Sequence, residues 1–338
     1  MSEKIKVVID AMGGDNAPSA PVEGALDALK EIKDLEIILV GTKEPLDAEL
    51  AKHEYDKSRV KCVYSTQVIV TGEAPVTSIQ KKKDSSLVVA LNLIKNGEAD
   101  AVISSGNTGS VLVGGQVIIK KAKGVYRAPL APLIPTEKGV SLLIDCGANV
   151  DARPEHLQQF AVMGSVYMRR MMGVENPTVG LVSVGEEKDK GNKLVHETYP
   201  LLEADPNINF IGNIEANRIS EGAADVIVTE AFTGNVILKM YEGVSKTLLR
   251  VLKETMMSSA KTKIGALMIK GTLKEKMKTF DSDRYGAAPL LGLTKLLLKS
   301  HGSAKASSFT QAIRQAVSFV ENDMVAQINE ALDKITNK

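Results

Sequence analysis

The sequence predicts an α/β protein built on a mostly parallel β-sheet with flanking helices. Short apolar runs recur along the chain, at residues 5–9, 36–40, 101–104, 141–145, 179–183 and 225–229. Continuous apolar runs of this length are typical of strands that are buried on both faces of a parallel sheet. Segments with helical spacing separate the runs, and such alternation favours βαβ units.

The segments between the runs are predicted to be helices. Helical spacing occurs at residues 21–32, 51–55, 87–96, 155–172, 235–256 and 305–335. A further short strand is expected at residues 60–63. Residues 126–138 contain three prolines, so we expect an extended edge or connection there. We expect one α/β unit with a central cleft over residues 1–338.

Bulk composition limits the class of protein. The 338 residues are 44% hydrophobic and 25% charged, as in soluble globular proteins. The formal net charge of +1 gives no case for nucleic-acid binding. Two cysteines, Cys62 and Cys146, predict no disulfide framework and fit a reducing cytosol. No signal peptide and no membrane-spanning run is predicted, so we expect a cytoplasmic protein.

Polar, glycine-rich turns follow several of the predicted strands. Their sequences are DAMGGDNAP (10–18), SSGNTGS (104–110), DCGANVD (145–151), VGEEKDKGN (184–192) and TEAFTGNV (229–236). Ligands of open α/β sheets bind in the crevice outside the carboxyl ends of the strands. The sequence therefore predicts that these turns converge on one crevice.

Two of these turns resemble each other and point to an anion. Residues 108–113 and 233–238 both begin with Thr-Gly, and both follow a strand and open an apolar helix. Helix N-termini offer unpaired N–H groups to phosphate, and glycine permits close approach. Ordinary N-capping explains either turn taken alone. The phosphate-binding candidates in the two turns are Gly106, Asn107, Thr108, Gly109, Ser110, Glu230, Thr233, Gly234 and Asn235.

Carboxylates at the strand ends leave two interpretations open. Asp10, Asp15, Asp145 and Asp151 could bind a metal or act as acid–base groups. They could equally close their loops through Asx turns. Gly13, Gly14 and Asn149 lie in the same turns and are further substrate-binding candidates.

Known cofactor motifs do not occur in this sequence. It contains no HExxH, no CxxC and no clustered histidines, so zinc is not expected. The Walker loop and the GxGxxG fingerprint are also missing. We expect neither a metal nor a cofactor.

Several basic residues are candidates for the crevice. Lys82 and Lys83 precede the helix predicted at residue 87, while Lys190 and Asn192 follow a strand. A solvated surface is the ordinary explanation of such charge runs. His301 follows the apolar run of LLLKSHGSA and could act as an acid or base near neutral pH. A hydrogen-bonded structural histidine is the alternative.

Residues 239–278 are predicted to form a basic amphipathic helical segment. They contain ten Lys or Arg against three Glu, a net charge of +7. Apolar residues recur at helical spacing, so the segment could contact an anionic membrane or an acidic partner. Packing on its own core or on a dimer mate would produce the same stripe. The contact candidates are Met256, Lys263, Ile264, Leu267, Met268 and Lys270.

Taken together, seven motifs resemble the landmarks of the bacterial phosphate acyltransferase family, PlsX. They are DAMGGDNAP, KKKDSS, SSGNTGSVL, DCGANVD, GEEKDKGN, TEAFTGNV and YGAAPLLG with KSHGSA, and they cover about residues 5–320. The resemblance implies a fold similar to isocitrate and isopropylmalate dehydrogenases and phosphotransacetylase. Cys146 stands where valine is usual in the family, which argues against an essential thiol.

The resemblance also implies an activity and partners. Family members make acyl phosphate from acyl-acyl-carrier-protein and inorganic phosphate, for phospholipid biosynthesis. A homodimer that associates peripherally with the inner face of the cell membrane is implied, with a glycerol-3-phosphate acyltransferase as the next enzyme.

The expected reaction needs no nucleophile from the enzyme, because phosphate is itself an anionic nucleophile. The protein must instead position the phosphate beside the thioester and provide charged and polar groups that stabilise it. Backbone N–H groups at 106–110 and 233–235, with Lys82 or Lys190, would hold phosphate. Asn107, Asn149, Asn235 or His301 would donate to the tetrahedral oxyanion.

Three alternative functions remain open from the sequence. A phosphotransacetylase-like enzyme would use acyl-coenzyme A instead of acyl carrier protein. A dehydrogenase of similar fold is disfavoured because no dinucleotide signature occurs. A non-enzymatic membrane scaffold for lipid synthesis would release no carrier thiol.

Overall fold

The chain folds into two β-sheets flanked by helices. The computed structural model describes residues 4–277 and 286–336. The strands are β1 (Ile5–Asp10), β2 (Leu35–Gly41), β3 (Val60–Tyr64), β4 (Ala101–Ser104), β5 (Leu133–Thr136), β6 (Gly139–Ile144), β7 (Thr178–Ser183), β8 (Asn209–Glu215), β9 (Val226–Val228), β10 (Ala288–Pro289) and β11 (Leu296–Lys299).

Helices connect the strands and cover both sheets. They are α1 (Ser19–Glu31), α2 (Lys43–Leu50), α3 (Pro75–Lys81), α4 (Ser86–Lys95), α5 (Thr108–Gly114), α6 (Pro154–Met171), α7 (Lys193–Glu203), α8 (Ala231–Met257), α9 (Ala260–Met277), α10 (Ala306–Glu321) and α11 (Met324–Thr336). No helix within 4–277 and 286–336 is long and apolar enough to cross a membrane.

Sheet topology brings the strand ends together. The first sheet has the order β10-β11-β4-β1-β2-β3, and the second has the order β5-β6-β9-β7-β8. Neighbouring strands are parallel except for the edge pairs β10–β11 and β5–β6. In the first sheet Ser104 is in register with both Asp10 and Lys299. In the second sheet Ile144 is in register with Val228.

A shared core joins the two sheets. One buried cluster contains Ile9 of β1 and Ile144 of β6, together with Phe160 of α6 and Phe309 of α10. Helix α6 packs on β6 and β9 on one side and on α11 on the other. Because these side chains pack in one core, the turns at the strand ends of the two sheets keep a defined mutual position.

The predicted mostly parallel α/β class is confirmed, and the structure adds that the strands are divided between two sheets. The predicted edge at residues 126–138 contains β5, which pairs antiparallel with β6 at the sheet edge. The prediction of a helix at 51–55 is wrong, because α2 ends at Leu50 and a turn follows. β8, β10, β11, α2, α3 and α7 were not predicted.

Two predicted long helical segments are interrupted. The segment at 305–335 divides into α10 and α11 at Asn322 and Asp323, where Asp323 has φ of 47°. The basic segment 239–278 divides into α8 and α9 at Ser258. Helix α8 is amphipathic, whereas the apolar residues of α9 are not gathered on one face. Lys278, the last residue of that segment, lies outside the described residues.

Candidate active site

A cavity of about 220 Å³ opens between the carboxyl ends of the two sheets. The turns after β4 and β11 form its wall on the first sheet, and the turn after β6 with helix α8 forms the opposite wall. Thr108 and Asn235, from the two Thr-Gly turns of the sequence, both line this cavity. The predicted convergence of those two turns is therefore observed.

Two lysines give the cavity a cationic wall. Lys239 of α8 and Lys299 at the end of β11 both line it, and Lys299 is only 7% exposed. Burial, together with the neighbouring charge of Lys239, lowers the pKa of Lys299 to about 8. The Lys299 ammonium donates to the carbonyl of Ser300, and within the described part of the chain it pairs with no carboxylate. Asp10 and Asp15 lie near enough to raise the pKa of Lys299 without forming an ion pair with it, so an anion in the cavity would add counter-charge.

His301 and Glu242 lie beside the lysines. Glu242 Oε2 is 3.0 Å from Lys239 Nζ and 3.8 Å from His301 Nε2. The neighbouring His301 and Lys239 lower the pKa of Glu242 below its usual value, against the effect of its partial burial. Glu242 is therefore an anion throughout the physiological pH range, while His301 borders the cavity.

The turn after β1 packs against the segments that line the cavity. Asp10 is buried, which raises its pKa, and it accepts a hydrogen bond from Ser104 Oγ at 2.7 Å. Asp15 N–H donates to the carbonyl of Gly302 at 2.8 Å. Gly14 has φ of +86°, and a Cβ there would lie 2.7 Å from that same carbonyl. Gly13 packs equally closely on Gly106. These candidates shape the turn around His301 rather than line the cavity.

The carboxylate of Asp145 closes its own turn. It accepts hydrogen bonds from the backbone N–H groups of Leu130, Ala148 and Asn149 and from the Asn149 side chain. Burial raises the pKa of Asp145. Asp145 and Asn149 thus hold the DCGAN turn in place, as the Asx-turn interpretation expects. No cluster of three or more His, Cys, Asp or Glu that could hold a metal occurs in residues 4–277 and 286–336.

Helix caps occupy part of both Thr-Gly turns. Asn107 Oδ1 accepts the N–H of Ser110 at 3.0 Å, and the Glu230 carboxylate accepts the N–H groups of Phe232 and Thr233. These two side chains therefore accept hydrogen bonds from backbone N–H groups that we predicted to bind phosphate. From the two helix starts, the side chains of Thr108 and Asn235 reach the cavity. Gly106, Gly109, Ser110 and Gly234 pack behind them.

The four remaining candidates lie away from the cavity. Lys82 Nζ donates to Glu73 at 2.6 Å, and Lys83 Nζ donates to the carbonyl of Ile79. Asn192 caps α7 by accepting the N–H of Val195 at 3.0 Å, and Lys190 lies in the exposed loop before it. None of these side chains borders the described cavity, because tertiary structure pairs or solvates each of them elsewhere.

Sequence reasoning missed three residues of the site, namely Lys239, Glu242 and Lys299. Lys239 and Glu242 follow Asn235 at intervals of four and three residues, so they lie on the same face of α8. This helical spacing could have identified Lys239 and Glu242 from the sequence. Lys299 ends an apolar run two residues before His301, but its burial depends on the insertion of β11 beside β4.

Comparison with known proteins assigns the family. A family model described as "Fatty acid synthesis protein" matches residues 5–327. A protein of Clostridium perfringens named phosphate acyltransferase is 46% identical over 98% of this chain and 97% of its own length. One of Clostridioides difficile with the same name is 44% identical over 98% of this chain and 97% of its own length. The chain belongs to the phosphate acyltransferase family.

Its class as an acyltransferase follows from that membership. Solved phosphotransacetylases share the fold of this phosphate acyltransferase family member. One from Streptococcus pyogenes has a TM-score of 0.62 and 17% identity, over 95% of both chains. A branched-chain phosphotransacylase from Enterococcus faecalis has a TM-score of 0.55 and 15% identity, over 94% of this chain and 99% of its own.

Cys146 lines the cavity but is not expected to act as a nucleophile. Burial, with the nearby charge of Asp145, raises its pKa to about 12, and the thiolate is the reactive form. We expect Cys146→Val to keep at least half of the wild-type kcat, and native Cys146 to resist iodoacetamide. A large loss of kcat in a normally folded Cys146→Val variant would contradict this.

Proposed function

We propose that this enzyme transfers an acyl group from acyl-acyl-carrier-protein to inorganic phosphate, producing acyl phosphate and free carrier protein for phospholipid biosynthesis. One observation carries the proposal: the cavity combines two lysines with an apolar wall. Lys239 and Lys299 line the same cavity as Leu130, Leu133 and Leu238. This arrangement fits an anion placed next to the first carbons of an acyl chain.

The cationic wall suits the phosphate. A dianion needs positive charge to leave water, and the low exposure of Lys299 strengthens the attraction. The hydroxyl of Thr108 and the amide of Asn235 add hydrogen-bonding groups on the two sides of the cavity. Holding phosphate in line with the thioester carbonyl can lower the barrier by roughly 7–11 kcal/mol at most.

The chemical step needs no covalent enzyme intermediate. A phosphate oxygen attacks the carbonyl carbon, and the C=O π electrons move to the carbonyl oxygen. When the tetrahedral intermediate collapses, the C–S bond breaks and its electron pair leaves with sulfur. The proton of hydrogen phosphate is transferred to the leaving thiolate, so that the carrier protein is released as a thiol. The protein's contribution is to place the reactants and to stabilise the oxyanion.

The hairpin of α8 and α9 is a candidate docking surface. Only Ala231 and Gly234 of α8 are buried, and Ile264, Leu267 and Met268 of α9 are 62%, 70% and 82% exposed. Exposed apolar side chains beside lysines favour contact with an acidic carrier protein or an anionic membrane. In this proposal the enzyme is a cytoplasmic homodimer at the inner face of the membrane, where a glycerol-3-phosphate acyltransferase takes up the product.

Charge reversal at Lys263 and Lys270 tests the docking surface. Both side chains are exposed on α9, so the double variant Lys263→Glu/Lys270→Glu should fold normally. We expect weaker binding to carrier protein or to anionic vesicles, with the larger difference at low salt. Reversal of the exposed Lys188 and Lys193, far from α9 in the sequence, is the control. Unchanged binding to both carrier protein and vesicles would contradict the proposed surface.

The activity itself is tested with palmitoyl-carrier protein and palmitoyl-coenzyme A offered separately, with and without phosphate. Hydroxylamine trapping reports acyl phosphate, and a thiol reagent reports the released carrier. We expect phosphate-dependent formation of both products, with the carrier-protein substrate preferred. Preference for the coenzyme A substrate would favour a phosphotransacetylase-like activity. Release of thiol without phosphate, or no release at all, would contradict the proposal.

A further inference from the structure

The imidazole of His301 has a defined tautomer. The backbone N–H of Ser303 donates to His301 Nδ1 at 3.2 Å, and Ser303 Oγ lies 2.9 Å from the same nitrogen. An N–H can only donate, so Nδ1 must be the acceptor. In the neutral ring the proton therefore resides on Nε2. The opposite tautomer would place an Nδ1–H against the Ser303 N–H.

The other ring nitrogen is oriented towards α8 and the cavity. Glu242 Oε2 is 3.8 Å from His301 Nε2, which is too long for a direct hydrogen bond. The anionic carboxylate attracts the Nε2–H side of the ring without using its proton. Lys239 Nζ, at 3.0 Å, holds Glu242 in place. His301 thus presents an Nε2–H that still has capacity for an acceptor from a ligand.

We propose that His301 is a hydrogen-bond donor to the thioester carbonyl oxygen through Nε2–H, and that Glu242 is the positioning residue that keeps the ring in this orientation. The inference rests on the proposed acyl transfer to phosphate. As phosphate attacks the carbonyl carbon, negative charge develops on the carbonyl oxygen and the hydrogen bond strengthens. The proton stays on Nε2, and the C–S electron pair leaves with sulfur.

In this assignment His301 does not act as a general base. A base needs an unprotonated Nε2 that faces the substrate, and the Ser303 N–H opposes that tautomer. Phosphate, already an anion, needs no base. The surrounding charges are consistent with a hydrogen-bond donor. Glu242, paired with Lys239, lies near Nε2, and Lys299 lines the same cavity and attracts phosphate to it.

Variants that copy one ring nitrogen at a time test the donor role. The amide nitrogen of His301→Gln can reach the position of Nε2, whereas that of His301→Asn can reach only the position of Nδ1. We expect His301→Gln to keep at least about a tenth of wild-type kcat, and His301→Asn and His301→Ala to lose about 100-fold or more. His53→Gln is the matched control, because His53 pairs with Glu49 outside the cavity.

A double-mutant cycle tests Glu242. Because Glu242 acts on the chemical step through His301, Glu242→Gln should lower kcat at saturating phosphate in the wild-type background and have little further effect in His301→Ala. Saturating phosphate removes any effect on phosphate binding through Lys239, the other partner of Glu242. Additive losses would contradict the positioning role, since a merely structural contribution of Glu242 would persist without His301.

The tautomer of His301 can be measured directly, and this measurement does not depend on turnover. The chain has four histidines, so long-range proton–nitrogen correlation of the full-length, histidine-labelled protein is tractable, and the spectrum of His301→Gln assigns the signal. We expect the Nε2–H tautomer. Observation of the Nδ1–H tautomer, or equal inactivity of His301→Gln and His301→Ala, would overturn the inference. Lack of acyl phosphate formation by the wild type would instead contradict the proposed function.

Discussion

Lys299→Met is expected to raise the KM for phosphate by about 100-fold with little change in protein stability. The variant removes a buried ammonium whose remaining partner is one carbonyl, and methionine is apolar and similar in length. Loss of one partner of a buried charge pair typically costs roughly 2–5 kcal/mol. A 100-fold change in KM corresponds to about 2.7 kcal/mol. Steady-state kinetics with varied phosphate and saturating acyl-carrier protein measures the effect.

Lys295→Met is the matched control for this variant. Lys295 is exposed and precedes β11, the strand that ends with Lys299, so it lies at the opposite end of the strand. We expect its KM for phosphate to equal that of the wild type. Equal KM values for Lys299→Met and Lys295→Met would show that the ammonium of Lys299 does not contact phosphate.

The pKa of Lys299 adds a pH dependence to the same prediction. Burial and Lys239 lower the pKa of Lys299 to about 8, and only the protonated amine attracts phosphate. The KM for phosphate, expressed as the concentration of its dianion, should therefore be constant below about pH 7 and rise as the pH passes through about 8. Lys299→Met should lose this rise while keeping its high KM throughout. A wild-type KM that stays flat up to pH 9 would contradict the assignment.

Gly234→Ala is expected to destabilise the protein by about 3 kcal/mol and to abolish most activity. A Cβ at this position would lie 1.9 Å from the carbonyl oxygen of Asp145, which is backbone and cannot move aside cheaply. Overpacking of this kind costs typically 1–3 kcal/mol or more. The clash would push the start of α8 away from the turn after β6, and Asn235 and Lys239 would move with it. Denaturant unfolding and kcat measure the two effects.

Gly243→Ala provides the control on the same helix. Nothing lies within 4 Å of a Cβ at Gly243, which is exposed on α8. Replacing an exposed helical glycine by alanine stabilises by roughly 0.5–1 kcal/mol. The two alanine variants should therefore shift the unfolding midpoint in opposite directions. Wild-type stability and kcat in Gly234→Ala would contradict the close packing of α8 on the turn.

Local sequence pattern was sufficient for most of the strands and for the turns that end them, but not for β8, β10 and β11. The runs that form β1, β4 and β9 are short, apolar and followed by glycine or polar residues, and this signal needs no knowledge of distant contacts. The repeated Thr-Gly turns also predicted that Thr108 and Asn235 belong to one crevice. The two turns follow β4 and β9, which belong to different sheets, so the packing of both sheets in one core brings them together.

The identity of the lysines at the crevice could not be obtained in this way. Lys82 and Lys299 are both lysines next to polar turns, yet Lys82 pairs with Glu73, whereas Lys299 is buried at the cavity. The difference arises because β11 inserts beside β4, which brings together segments far apart in sequence. Helix α8 contributes Lys239 and Glu242 only because Gly234 packs its start against the second sheet. Periodicity and turn chemistry are properties of neighbouring residues, whereas the charge of a cavity depends on which distant segments share one core.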